Sequence, residues 1–124
     1  MRVFGRTLGI GLALVVLAGT AASAAGVVVE RHAGADRYAT AAALATTQFA
    51  KVDGSVAAAV ITTGQKFPDA VTAGAAGFPV ILVPSSGAAP QSAKDALNSL
   101  NPLAVVVVGG TGAVTEQTLD TMGL

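Results

Sequence analysis

Five side chains in this sequence have the chemistry to hold a ligand: Arg31, Arg37, Lys66, Asp69 and Thr111. Arg31 and Arg37 flank Gly34, and a guanidinium fork suits phosphate or carboxylate recognition. Glu30, Asp36 and Asp69 are equally available to them as local ion-pair partners. Lys66 stands beside Phe67-Pro68-Asp69. The Asp69 carboxylate can accept bonds from sugar hydroxyls or polarise a water, or it can serve as a first-turn helix residue that complements the dipole. Thr111 belongs to Gly109-Gly110-Thr111-Gly112. Placed between a strand and a helix, that loop offers backbone N–H groups to an anion, or forms a tight turn that needs glycine dihedrals. Tyr38 could stack on a sugar ring, although a lone aromatic on a helical stripe reads as core.

Most catalytic chemistry finds no constellation. The chain has no cysteine, so disulfides, thiol nucleophiles and Cys-based metal sites are excluded, and His32 is its one histidine. A lone histidine with scattered carboxylates gives no metal-ligand spacing. Asp69 has no second carboxylate nearby in sequence, as a glycosidase requires. Ser85-Ser86 lacks the Gly-x-Ser-x-Gly frame of a nucleophile elbow. The glycine loop is not closed by a lysine followed by serine or threonine, and its spacing is not the dinucleotide fingerprint. No catalytic residue, metal ligand or cofactor is assigned. Seven basic and seven acidic residues cancel over 124 residues, which argues against nucleic acid or an acidic bilayer as partner.

These residues must be positioned by a small domain. The first 24 residues read as a secretory signal peptide. Arg2 and Arg6 are basic, Leu8–Ala18 is apolar, and Ala22-Ser23-Ala24 supplies small residues for cleavage after Ala24. The apolar run is short of the roughly 20 residues of a membrane span, so no membrane association is expected after cleavage. Residues 25–124 keep five basic and seven acidic side chains, a balance of −2. Binding to an anionic polymer would then use local geometry, not bulk charge.

Val27-Val28-Val29 reads as a first short strand or a lead-in. Asp36 caps a helix running to about Ala50, with Tyr38, Ala41, Ala42, Ala45 and Phe49 on one stripe. Asp53-Gly54 is a turn signal. Ala57–Thr62, Pro79–Val83 and Leu103–Val108 are continuous apolar runs, the pattern of strands covered on both faces. Pro68 opens a helix ending near Gly77, and Pro90 opens another whose Ala93, Ala96, Leu97 and Leu100 recur at helical spacing before Asn101-Pro102 stops it. Thr115 caps a last helix, with Val114 and Leu119 as its hydrophobic staple. Strands alternating with helices predict a three-layer α/β/α sandwich around a mostly parallel four-stranded sheet with right-handed crossovers. All strand-to-helix loops then share one rim, where such sheets bind ligands.

Four segments resemble, in order, the type 2 cell-wall-binding repeat of Gram-positive surface proteins. They are Arg31-x-x-Gly34-Ala35-Asp36-Arg37-Tyr38-x-Thr40-Ala41, Phe67-Pro68-Asp69-Ala70, Pro79–Val83, and Val105–Val108 followed by Gly109-Gly110-Thr111-x-Ala113-Val114. They span Arg31 to about Met122 as a single copy. The resemblance implies a Toprim-like, Rossmann-like module that attaches non-covalently to the cell wall through an anionic wall polymer or glycan. It implies no catalysis, and any effector domain would lie outside this chain. Related proteins carry three repeats around a pseudo-threefold axis, so sister repeats or self-association as a trimer are the further partners implied. The alanine-rich composition fits an actinobacterial source. Two alternatives stand beside this reading: a small secreted hydrolase using the loop edge, and an oligomerisation module or a fragment of a longer multi-repeat surface protein.

Overall fold

A computed structural model describes residues 26–124. The chain divides into two units, Met1–His32 and Ala33–Leu124. The expected signal peptide, residues 1–24, lies outside the described residues. Of the first unit, residues 26–32 form no regular element. Val27–Val29, expected as a short strand or a lead-in, is not a strand, and its three valines are exposed.

Ala33–Leu124 folds as α1 (Arg37–Gln48), β1 (Ala59–Thr63), α2 (Phe67–Gly74), β2 (Val80–Val83), α3 (Gln91–Leu100), β3 (Val105–Val108) and α4 (Glu116–Thr121). The described sheet has three strands, not four, in the order β2-β1-β3, and both pairings are parallel. Its register aligns Ile61 with Ile81 and Val107 on one face, and Val60 with Val80 and Val106 on the other. The chain steps from β1 to β2 in one direction, then crosses past β1 to β3 in the other. Two right-handed crossovers of opposite direction put their helices on opposite faces.

Packing follows that geometry. Ala93, Ala96, Leu97 and Leu100 of α3 join Ile61, Ile81 and Val83 in the main core. Each buried leucine there contributes roughly 1.5–3 kcal/mol of hydrophobic stabilisation. Helix α2 covers the Val60 face through the buried Ala73. Because α1 and α2 meet β2 largely through alanine and glycine, an apolar groove of about 300 Å³ remains between them, lined by Leu44, Phe78, Val80 and Leu82 among others. Small residues allow close approach but leave space where a larger side chain would fill it.

The local signals carried by single residues are borne out. Asp36 Oδ1 accepts from the Ala39 N–H at 2.8 Å and caps α1. Asn101 takes the left-handed conformation and donates its N–H to the Leu97 carbonyl, ending α3. Thr115 caps α4, with Val114 buried and Leu119 packed against the core. Asp53 and Gly54 both have positive φ in a turn closed by Val52 and Ser55.

The two sheet edges differ. Helix α1 packs on β2 and α3 and covers that side. On the other side, β3 leaves Val106 46% and Val107 37% exposed, and Leu103 just before it is 80% exposed. The most apolar run of the sequence is thus an edge strand, not a central one. No described helix is long and apolar enough to cross a membrane.

Candidate functional site at the carboxyl rim

Three parallel strands send their carboxyl ends to one rim, and the loops 64–66, 84–90 and 109–115 line up along it. The strand order reverses between β1 and β3, which makes their junction the switch point where sheets of this kind open a crevice. On one side of that junction is the start of α2. Lys66 is exposed and occupies the position before the helix, and Asp69 lies in its first turn. On the other side is the loop after β3. Its first residue, Gly109, has φ +121, a backbone region essentially reserved for glycine. A Cβ there would stand 2.9 Å from Ala113 Cβ and 3.3 Å from Asp69 Oδ2. The Asp69 carboxylate therefore rests directly over the Gly109 backbone, and Thr111 lies exposed two residues further on.

Adjacent threonines at the end of β1 brace this rim on both sides. Thr62 and Thr63 are fully buried and, as neighbours on a strand, point to opposite faces. Thr62 Oγ1 donates to the Val108 carbonyl at 2.9 Å and ties β1 to the last residue of β3. Thr63 Oγ1 and Ser85 Oγ share a 3.0 Å hydrogen bond, and Thr63 Oγ1 also accepts from the Gln65 N–H. Gln65 Oε1 in turn accepts from the Ser85 N–H at 2.6 Å. The loop after β2 is held from its far side by α4, where Thr118 Oγ1 donates to the Gly87 carbonyl and Thr121 Oγ1 accepts from the Ala89 N–H. Sequence reasoning missed Thr62, Thr63 and Gln65. The available signal was a pair of hydroxyl residues closing an otherwise apolar buried run.

The proposed contact residues fare differently. Lys66, Asp69 and Thr111 fall on the two sides of the β1/β3 junction. Arg37 reaches the same rim from α1, and its Nη1 donates to the Gly64 carbonyl at 2.7 Å. Arg31 belongs to the leading unit, where it is exposed. Neither arginine forms an ion pair with a described residue, so the local pairings open to them in the sequence are not used; Glu30 instead meets His32 at 3.2 Å. The glycine loop does not lead straight into a helix. Gly110–Val114 makes one closed turn, in which Ala113 and Val114 donate to the Gly110 carbonyl, and Thr115 caps α4 by accepting the Thr118 N–H with its hydroxyl. Ser85 Oγ pairs with a threonine and not with a base.

Charge is distributed unevenly. Ala33–Leu124 carries Arg37, Lys51, Lys66 and Lys94 against Asp36, Asp53, Asp69, Asp95, Glu116 and Asp120, four minus six, or −2. The rim itself gathers Arg37 and Lys66 against Asp69. Backbone groups of the Gly109 loop and the Asp69 carboxylate meet there, with the exposed Lys66 and Thr111 on the flanking segments.

The profile of the family described as Cell wall binding domain 2 (CWB2) matches residues 31–119. No curated protein and no solved structure matches the chain.

Proposed function

The chain belongs to the type 2 cell wall binding family, a generally non-catalytic family of wall-attachment domains, and from that premise we propose that it grips an anionic wall polymer at the β1/β3 crevice. The observation that carries this reading is the seating of Asp69 on Gly109, which brings two motifs about forty residues apart in sequence onto one rim. Lys66 supplies charge for phosphate or carboxylate groups, Asp69 and Thr111 receive hydroxyls, and the Gly109–Gly110 backbone lets the polymer approach closely. The rim is locally cationic on a domain of net −2, so recognition rests on placement of charge. The chain is exported by its first 24 residues and works at the surface of a Gram-positive, actinobacterial cell.

The test is co-sedimentation of the full chain with purified Gram-positive walls, before and after chemical stripping of their anionic polymers. The chain pellets with intact walls and stays in solution with stripped ones. A triple Lys66→Ala, Asp69→Asn, Thr111→Ala variant stays in solution with both. Equal pelleting with stripped walls would show that peptidoglycan itself is the ligand.

The open β3 edge favours a second, compatible reading, in which sister repeats or further copies of this chain pack there, as in a trimer. Among the described residues β3 has a strand partner on one side only, and its exposed valines invite such pairing.

A further inference from the structure

We propose that Arg37 is a positioning residue: its guanidinium holds the loop that presents Lys66 and makes no contact with the wall polymer itself. The proposal rests on the crevice between β1 and β3 being the binding site. Arg37 Nη1 donates to the carbonyl of Gly64, the first residue after β1, at 2.7 Å. The contact is intimate as well as polar. A Cβ at Gly64 would lie 2.9 Å from the Tyr38 ring and 3.3 Å from Arg37 Cδ, so the ring and the arginine stem come close against the glycine backbone. From the other side, the Gly64 N–H donates to the Val83 carbonyl of β2. Gly64 is thus clamped between α1 and β2.

Arg37 is in turn held in place. It is the first residue of α1, whose start is capped by Asp36 and closed by the Gly34 N–H donating to Thr40 Oγ1 at 2.9 Å. Gly34, Asp36, Arg37, Tyr38 and Thr40 therefore act as one latch, each with its partner inside the unit. Beyond Gly64, Gln65 is pinned by Thr63 and Ser85. Lys66 is the first side chain of the loop with no hydrogen bond or ion pair to a described residue, and the latch ends where the ligand-facing surface begins. A guanidinium that swung out to the polymer would abandon this carbonyl.

The experiment compares Arg37→Ala and Lys66→Ala in the full chain. It measures affinity for teichoic-acid-bearing walls between about 50 and 200 mM salt, where each charge contact to a polyanion adds close to one to the log–log salt slope. Lys66→Ala lowers that slope by about one. Arg37→Ala weakens binding by about tenfold to a hundredfold, the worth of one bond to a charged group, and leaves the slope unchanged. It also speeds hydrogen exchange at the Gly64 and Gln65 amides. Gly64→Ala, which unseats Tyr38 and Arg37 without touching a charge, has the same signature, and the double variant is no weaker than either single one. An Arg37→Ala slope lowered by about one with unchanged exchange overturns the proposal. Wild-type binding that Arg37→Ala leaves at full strength overturns it alone, whereas a wild-type chain that fails to bind walls overturns the site reading with it.

Discussion

Replacing Gly109 with alanine tests the crevice at its tightest point, and the structure sets the size of the effect. The position has φ +121, and an L-residue held there costs of order 1–3 kcal/mol. The new Cβ would meet Ala113 Cβ at 2.9 Å and Asp69 Oδ2 at 3.3 Å. Ala113 is buried and cannot retreat freely, so overpacking adds roughly 1 kcal/mol or more. The sum is about 3 kcal/mol. A domain of this size has about 5–13 kcal/mol in total, and the midpoint of thermal unfolding falls by roughly 12–24 °C. Gly112 supplies the control in the same loop. Its φ is not positive, and a Cβ there meets nothing within 4 Å. Gly112→Ala therefore leaves stability within about 0.5 kcal/mol or raises it slightly by restricting the unfolded chain. Urea unfolding followed by circular dichroism, with the slope checked for constancy, measures both. Equal losses for the two variants, or a neutral Gly109→Ala, would refute the seating of Asp69 on Gly109 and with it the joining of the two motifs.

Three further outcomes follow from particular contacts. Thr62→Val removes the bond to the Val108 carbonyl inside a fully buried site and costs about 1–3 kcal/mol by urea unfolding, with β3 amides exchanging faster than those of β2. Asp36→Ala deletes the α1 cap and costs about 1 kcal/mol, whereas Asp36→Asn or Asp36→Ser retains most of the stability. Val107→Lys places a charge on the open edge strand; if copies pair there, sedimentation velocity shows an associating wild type and a monomeric variant, and an unchanged association state would remove that edge from consideration.

Much of the domain was legible because single residues carry unambiguous conformational chemistry. Asp36, Pro68, Asn101 and Thr115 mark helix ends through a side-chain acceptor, a preset φ or a tolerated left-handed conformation, and each stands where it was expected. Continuous apolar runs located the three strands, since β1 is buried at every position. Two things were not legible. Val27–Val29 has the composition of a strand, but composition alone does not set whether a segment joins the sheet. The run of valines in β3 reads, like the other two, as a strand covered on both faces, although its place at the sheet edge is decided by the crossover from β2, which no local pattern encodes. The site divides in the same way. The residue types at Lys66, Asp69 and Thr111 pointed to binding, and parallel topology brought them to one rim. Arg37 was equally plausible by type, yet its partner proved to be a carbonyl twenty-seven residues away, beyond the reach of any spacing argument. Thr62 and Thr63 went unnoticed because threonine in a buried strand is ordinary by propensity; their value lies in what their hydroxyls meet.

The account turns on where the wall polymer lands. Titrating the isotopically labelled chain with solubilised wall polymer and following backbone amide shifts by NMR answers this residue by residue. Shifts concentrated at Lys66, Asp69 and Gly109–Thr111 are the predicted result. Shifts gathered instead at the opposite end of the sheet, around Gly54, Ser55 and Asn101, would contradict it.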